Sequence, residues 1–223
     1  MENREYMRTT EYILGLIESG SLKKGDRLPT ERKIAEELGT SRNSIRESLR
    51  TLENLGIVES KHGSGNYLAD NAGATISRTI NIMLLMNSAS RSEICIFRRY
   101  TEKSVCSYLI EKPCTHEWKK HILDAVERLE DMSDKNLLSE ADKQFHYALI
   151  HATENRFWIL MTEAVSEVYR TWINNALSAA SRDTVRKLQA AHREIAQGIV
   201  ESNLSLCMDA IDRHYDIIDG ILS

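Results

Sequence analysis

Four side chains in the C-terminal part of the sequence are of the types that bind divalent metals. Asp142 and His146 stand at positions i and i+4 of ADKQFHYALIH, so a helix would place this carboxylate and imidazole on one face. His192 and His214 each have mostly apolar neighbours at helical spacing, which predicts that both point inward. Three imidazoles and a carboxylate are costly to bury without a partner. The pattern is typical either of a metal site or of structural, hydrogen-bonded histidines.

A row of arginines in the N-terminal part could bind nucleic acid. Arg42, Arg46 and Arg50 are four residues apart in GTSRNSIRESLR, which lines them along one face of a helix. Arginine donates paired hydrogen bonds to guanine edges and to phosphates. The alternative is a solvated helix face on which Arg46 or Arg50 pairs with Glu47 or Glu53.

Composition limits the class of protein. The 223 residues are 42% hydrophobic and carry a formal net charge of -4, so a nucleic-acid interface must depend on a local positive face. No apolar run of about 18 residues and no apolar signal core occur, which predicts a cytoplasmic protein without a membrane segment. The four cysteines form no CxxC pair and are expected to be reduced thiols.

The residues around the arginine row predict a winged helix-turn-helix. Thr30 is a good N-cap for a first helix that ends at Gly39, and Ser41 can cap a second helix that runs to about residue 55. Two short helices with a tight turn over about 30–55 are typical of a major-groove reader. Residues 57–69 favour a β-hairpin wing with a glycine-rich tip.

The rest of the chain has the periodicity of amphipathic helices. They are predicted at 75–87, 92–111, 116–132, 137–152, 156–178, 183–201 and 204–221. The expected fold is therefore mainly α, with a DNA-binding domain over 1–70, a linker over 71–75 and an all-helical domain over 76–223. His151 falls on nearly the opposite helix face from His146, and we expect surface or structural roles for it and for His116 and His121.

The segment GDRLPTERKIAEELGTSRNSIRESLRTLENLGIVESKHGSGNYL resembles the winged helix of GntR-family bacterial transcription regulators. The resemblance implies an operator-DNA interface with the wing tip at its edge. The residues it assigns to this interface are Arg32, Ser41, Arg42, Asn43, Ser44, Arg46, His62 and Gly63.

The helical part resembles the FCD effector domain of the FadR-type branch of this family, which implies that residues 76–223 form an effector-binding and dimerisation domain. The pattern D-x-x-F-H, a following asparagine and one histidine in each of the last two helices fall on Asp142, Phe145, His146, Asn155, His192 and His214, and an earlier R-x-x-x-E falls on Arg98 and Glu102. The resemblance implies that Asp142, His146, His192 and His214 hold a divalent ion such as zinc, nickel or manganese. It also implies a small organic acid at the open positions of the ion, with Arg98 and Asn155 as effector-binding residues, although Arg99 leaves the register of the arginine open.

The function favoured by the sequence is a ligand-responsive transcription regulator, a homodimeric repressor that binds a palindromic operator and is not an enzyme. One alternative is a metal-dependent hydrolase or oxygenase fused to a winged helix, since a metal with open positions can activate water. Another is a regulator whose histidine cluster is purely structural.

Overall fold

The computed structural model describes residues 2–70, 72–131 and 135–222. The chain divides into two compact units, Met1–Thr75 and Ile76–Ser223. Within the described residues, no helix has the length and apolar character needed to cross a membrane.

The first unit contains three helices and a hairpin. These are α1 (Glu2–Glu18), α2 (Glu31–Leu38), α3 (Arg42–Asn54), β1 (Val58–Lys61) and β2 (Gly65–Leu68). The Thr30 side chain accepts a hydrogen bond from Lys33 N at the start of α2, and Gly39 ends that helix in the left-handed region. Ser41 caps α3 by accepting from Ser44 N. The predicted helix-turn-helix is confirmed.

The apolar face of α3 fixes this helix against the rest of the first unit. Ile45, Leu49 and Leu52 are buried against Ile13 and Ile34 from the two preceding helices. The two strands pair antiparallel, with Val58 opposite Leu68 and Lys61 opposite Gly65, so the hairpin predicted over 57–69 is also confirmed. An isolated bridge joins Arg27 to Tyr67 and holds the chain before α2 against the hairpin.

Seven further helices follow the hairpin in the described residues. They are α4 (Ala72–Leu85), α5 (Arg91–Glu111), α6 (His116–Asp131), α7 (Lys135–His151), α8 (Arg156–Ala179), α9 (Arg182–Glu201) and α10 (Leu204–Leu222). The mainly α fold with a winged helix-turn-helix is as predicted. Residues 72–75 are helical rather than an irregular linker, because the alanines of AGAT favour a helix enough to accommodate one glycine. Residue 71, and residue 132 at the predicted end of α6, lie outside the described residues.

The core of the second unit brings α5, α7, α9 and α10 together. Phe145 and Leu149 of α7 are fully buried with Ile195 of α9 and Ile211 of α10. The last two helices approach closely at Gly198, where a Cβ would lie 2.5 Å from Cys207 Sγ and 3.0 Å from the Asn203 carbonyl oxygen. This contact sets the spacing between the helices that carry two of the predicted ligands.

Candidate metal centre and nucleic-acid interface

The solvent face of α3 carries the polar side chains predicted to contact DNA. Arg42, Asn43 and Arg46 are exposed, whereas Ser41 and Ser44 share a hydrogen bond of 2.9 Å at the start of the helix. Ser41 therefore has a capping role in addition to any contact with DNA. The contacts with DNA themselves stay predictions.

Arg46 is held by a residue of the preceding helix. Its Nε donates to Glu31 Oε1 at 3.1 Å and its Nη2 donates to Glu31 Oε2 at 2.8 Å. Arg50 instead pairs within α3, with Glu47 at 2.8 Å. The alternative of intrahelical pairing thus describes Arg50, whereas Arg46 takes a partner in α2.

Three other residues predicted to contact DNA lie on exposed parts of the first unit. Arg32 is exposed on α2, with Nε 3.8 Å from Glu36 Oε1. His62 and Gly63 are exposed in the turn between the strands, where Gly63 has φ +70°. A glycine suits this left-handed position and gives the tip a small profile.

The three predicted histidine ligands converge in the core of the second unit. His146, His192 and His214 are all at most 2% exposed, and one ring nitrogen from each lies within 4.8 Å of the others. His146 Nε2 and His192 Nε2 are 3.4 Å apart. Asp142 reaches the same place, with Oδ1 3.3 Å from His192 Nε2 and Oδ2 3.7 Å from His146 Nε2.

This donor set fits a divalent transition metal. Two nitrogen ligands about 2.0–2.1 Å from a tetrahedral ion are about 3.4 Å apart, the separation of the two Nε2 atoms. The Nδ1 atoms of His192 and His214 are buried and accept or donate no hydrogen bond among the described residues. A cation between the facing Nε2 atoms would not give the Nδ1 atom of His192 a partner, because Nδ1 and Nε2 lie on different edges of the ring. The donor types, their separation and their burial are what fit a metal.

A buried carboxylate supports the cluster from α5. Glu102 Oε1 lies 2.9 Å from His146 Nδ1, although the angle is poor for a hydrogen bond. The same oxygen accepts a hydrogen bond of 2.6 Å from the Tyr215 hydroxyl. A carboxylate against the second nitrogen of a histidine ligand commonly fixes the orientation of its ring. The sequence signal for Glu102 is its i, i+4 spacing from Arg98, which puts the two charges on one helix face but does not indicate the contact with His146.

The charges of the site are strongly coupled. Burial alone would lower the pKa of His146, but the Glu102 and Asp142 carboxylates outweigh it and raise that pKa to about 9. Burial would raise the pKa of Glu102, but His146 and Arg98 bring it to about 2. The pKa of His214 is held well below its ordinary value, by burial and then by the neighbouring imidazoles. Burial would raise the pKa of Asp142 too, but His146 and His192 hold it well below its ordinary value, so Asp142 and Glu102 are both anionic and able to balance cations.

A small cavity opens beside the cluster. Arg98 is buried in its wall, with its guanidinium 4.6 Å above the Tyr169 ring, and its Nε has no partner among the described residues. Lys143 and Arg170 line the same cavity. Its free volume of about 20 Å³ is room for little more than one water. Three cationic side chains against the one carboxylate of Asp142 line the cavity, and this excess of positive charge suits an anion.

A larger groove lies between α6, α7 and α8, and none of His146, His192 and His214 lines it. It has a volume of about 520 Å³, and Trp118, His121 and His151 line it. His151 pairs with Glu163 at 2.8 Å, in keeping with the structural role expected for it. No group of three metal-binding side chains forms there among the described residues.

Comparison with known families decides between the candidate classes. Residues 5–68 match the family of bacterial regulatory proteins named gntR, and residues 96–217 match the FCD domain. The chain belongs to the gntR family. As a gntR-family protein with an FCD domain, it is a DNA-binding transcription regulator and not an enzyme.

Individual proteins similar to this gntR-family regulator are themselves described as transcription regulators or have the same fold. The HTH-type transcriptional regulator LutR of Bacillus subtilis is 28% identical over 217 residues, which cover 93% of this chain and 96% of that protein. The Uxu operon transcriptional regulator of Escherichia coli is 33% identical over 156 residues, covering 68% of this chain and 60% of that protein. The solved structure of a Streptococcus agalactiae GntR protein has the same fold, with a TM-score of 0.72, 23% identity and coverage of 96% of this chain and 98% of that one.

The structure brings together most of the predicted effector and metal residues of this gntR-family regulator, but not Asn155. Arg98 and Asp142 line the small cavity, whereas Asn155 does not. The Asn155 side-chain oxygen accepts from Phe157 N and Trp158 N and caps α8. The effector contact of Asn155 stays a prediction. Tyr169 and Tyr215, which enclose the Arg98 guanidinium, carry no sequence signal of that role.

Proposed function

We propose that this regulator is a repressor that binds a palindromic operator as a homodimer and leaves it when a small carboxylate binds beside a divalent metal in the helical unit. The observation that carries the proposal is the buried convergence of His146, His192 and His214 with Asp142, next to a cavity lined by Arg98. The same chain has an exposed face of α3 that suits a major groove.

The DNA-binding part of the proposal is supported by side-chain geometry. Arg42 and Arg46 lie one turn apart on the exposed face of α3, within reach of base edges if the helix enters the groove. His62 and Gly63 would approach the backbone or the adjacent minor groove. A two-fold dimer would present this surface to each half of a palindrome.

The charges around the imidazoles support an anionic effector. With a divalent ion held by Asp142 and three neutral imidazoles, the charges of Asp142, Glu102, Arg98 and the ion leave the buried site with a net charge of about plus one. A monocarboxylate would neutralise it. A bound ion supplies open coordination positions for the carboxylate, while Arg98 can donate two parallel hydrogen bonds to it.

Effector binding must enlarge the cavity. A free volume of about 20 Å³ does not hold an organic acid, so the side chains from α5, α7 and α8 must move apart. Such a movement gives the acid a differential affinity for two states of the helical unit, which a ligand-driven switch requires.

The proposal is tested with a duplex selected by the protein from a random-sequence library. Fluorescence anisotropy would follow the affinity of the zinc-loaded protein for that duplex while hydroxy acids, sugar acids and amino acids are added singly. We expect one class of acid to weaken binding by about 5-fold or more, since allosteric couplings are typically about 1–3 kcal/mol. Arg98→Met and the cavity-lining variant Lys143→Met should bind the duplex as the wild type does but lose this response.

Two outcomes count against the proposal. An acid that acts equally on wild type, Arg98→Met and Lys143→Met does not bind in this cavity. If zinc binds and stabilises the protein while no acid of the three classes changes duplex affinity, the metal is structural and the sensing role is wrong.

A further inference from the structure

The contact between Glu31 and Arg46 joins the two helices of the helix-turn-helix at its exposed face. Its two hydrogen bonds use Nε and Nη2, which form the side edge of the guanidinium. Arginine has five N–H donors, and among the described residues no partner is bonded to the end edge formed by Nη1 and the second hydrogen of Nη2. That end edge is the one that can donate two parallel hydrogen bonds to O6 and N7 of guanine.

The geometry points to Glu31 as a specificity-determining residue that positions Arg46 for a base edge. This inference rests on the proposed insertion of α3 into the major groove. Glu31 does not itself contact DNA. It acts by fixing the direction of the Arg46 side chain on the exposed face of α3.

The physical basis is the conformational freedom of arginine. A free arginine side chain has about 2 kcal/mol of rotamer entropy to lose when it binds a base. Glu31 is held near the start of α2 by the Thr30 cap, and its carboxylate is less exposed than the guanidinium, 23% against 44%. The Glu31 carboxylate is therefore held in a fixed position at the start of α2. Because Arg46 is bonded to it, the Arg46 side chain has already lost much of its rotamer entropy before it meets the duplex.

An acidic residue such as Glu31 is unusual near DNA, so its presence there needs a reason: either a positioning role or a purely structural role. A carboxylate close to phosphates weakens non-specific binding, because it opposes the positive face that attracts the duplex. As an acidic residue in the first turn of α2, Glu31 also stabilises the helix start. A purely structural Glu31 would change stability when replaced. A positioning Glu31 would change which base pairs are preferred.

Two replacements separate these roles. Glu31→Asp keeps a negative charge at the start of α2 but is one methylene too short for the same paired contact with Arg46. Glu31→Gln removes the charge and one acceptor. The matched control is Glu36→Gln, which removes an exposed carboxylate of the same helix, 3.8 Å from Arg32 and not bonded to Arg46.

The experiment measures binding to the selected duplex and to every single-base-pair variant of it. Arg46→Ala first identifies the base pair at which discrimination is relaxed. We expect Glu31→Asp and Glu31→Gln to reduce discrimination at that same base pair by about 5-fold, which is at the low end of the discrimination that one bidentate base contact provides. Discrimination at the other positions should be unchanged. Affinity of Glu31→Gln for random duplex should rise, and neither change should have an effect in the Arg46→Ala background. Glu36→Gln should discriminate at that base pair as the wild type does.

The experiment distinguishes a failure of the proposed groove contact from a failure of the positioning role of Glu31. If Arg46→Ala relaxes no base pair, the groove contact in the proposed function is wrong and the inference falls with it. If Arg46→Ala relaxes one base pair but both Glu31 variants keep wild-type discrimination there, only the positioning role is wrong. An effect of Glu31→Asp that persists in the Arg46→Ala background would also overturn it, because Glu31 would then act through another residue.

Discussion

His192 Nε2 lies 3.4 Å from His146 Nε2, although the two residues are 46 positions apart in the chain. The packing of α6 against both α7 and α9 brings them together, and Phe145 fills the space beside both rings. Two imidazole nitrogens facing each other at this distance can share one proton or bind one cation. Three such rings with Asp142 favour the cation.

Zinc should stabilise the protein through this cluster. Zinc at 100 times its Kd should raise the free energy of unfolding by about 2.7 kcal/mol if it binds the folded state only. The rise would be measured by thermal unfolding with zinc and after removal of metal with a chelator. His192→Asn should lose the zinc-dependent increase, whereas His151→Asn, which changes a histidine outside the cluster, should keep it. Equal stabilisation of both variants would place the zinc elsewhere.

Replacing Glu102 with glutamine should destabilise the helical unit. Glu102 is 1% exposed, and its carboxylate lies 3.8 Å from Arg98 and 2.9 Å from protonated His146, so it shares with Asp142 the balance of these two charges. Removing one partner of a buried ion pair costs about 3–5 kcal/mol, because the remaining charge stays buried. Urea denaturation of the metal-free protein would measure the loss. Glu127→Gln, on an exposed position of α6, should be within about 0.5 kcal/mol of wild type. A Glu102→Gln protein as stable as the Glu127 control would contradict the charge balance described for this site.

The close approach of α9 and α10 makes Gly198 intolerant of even a methyl group. Gly198→Ala should lower the free energy of unfolding by about 1–3 kcal/mol, because the added carbon meets Cys207 Sγ and the Asn203 carbonyl oxygen. Gly220→Ala is the control, since that position in α10 has open space around it. Alanine there should be neutral or stabilising by up to about 1 kcal/mol. Chemical denaturation that ranks the two variants in the opposite order would show that the packing of α9 on α10 is looser than described.

Local sequence signals were enough to predict the elements and the inward faces. Ser41 and Gly39 define the ends of α2 and α3 because capping depends on neighbours a few residues away. The inward direction of His192 and His214 follows from apolar residues one turn away on the same helix. These are relations within one helix or one turn, which periodicity and capping describe.

Relations between helices were not accessible in the same way. For Arg46 the sequence predicts a DNA contact or, as the alternative, a partner within its own helix, but Glu31, 15 residues earlier, is in reach because α2 packs against α3. The support of His146 by Glu102 and Tyr215 depends on how α5 and α10 pack against α7, and no spacing along the chain encodes it. Asn155 matched a motif, yet the structure gives its side chain a capping role that any helix start could use.

The most direct test of the metal centre is anomalous diffraction from crystals of the zinc-loaded protein, collected on either side of the zinc absorption edge. The account predicts one strong peak per chain, within ligand distance of His146, His192, His214 and Asp142. No peak among these side chains, in crystals whose protein retains zinc by elemental analysis, would contradict it.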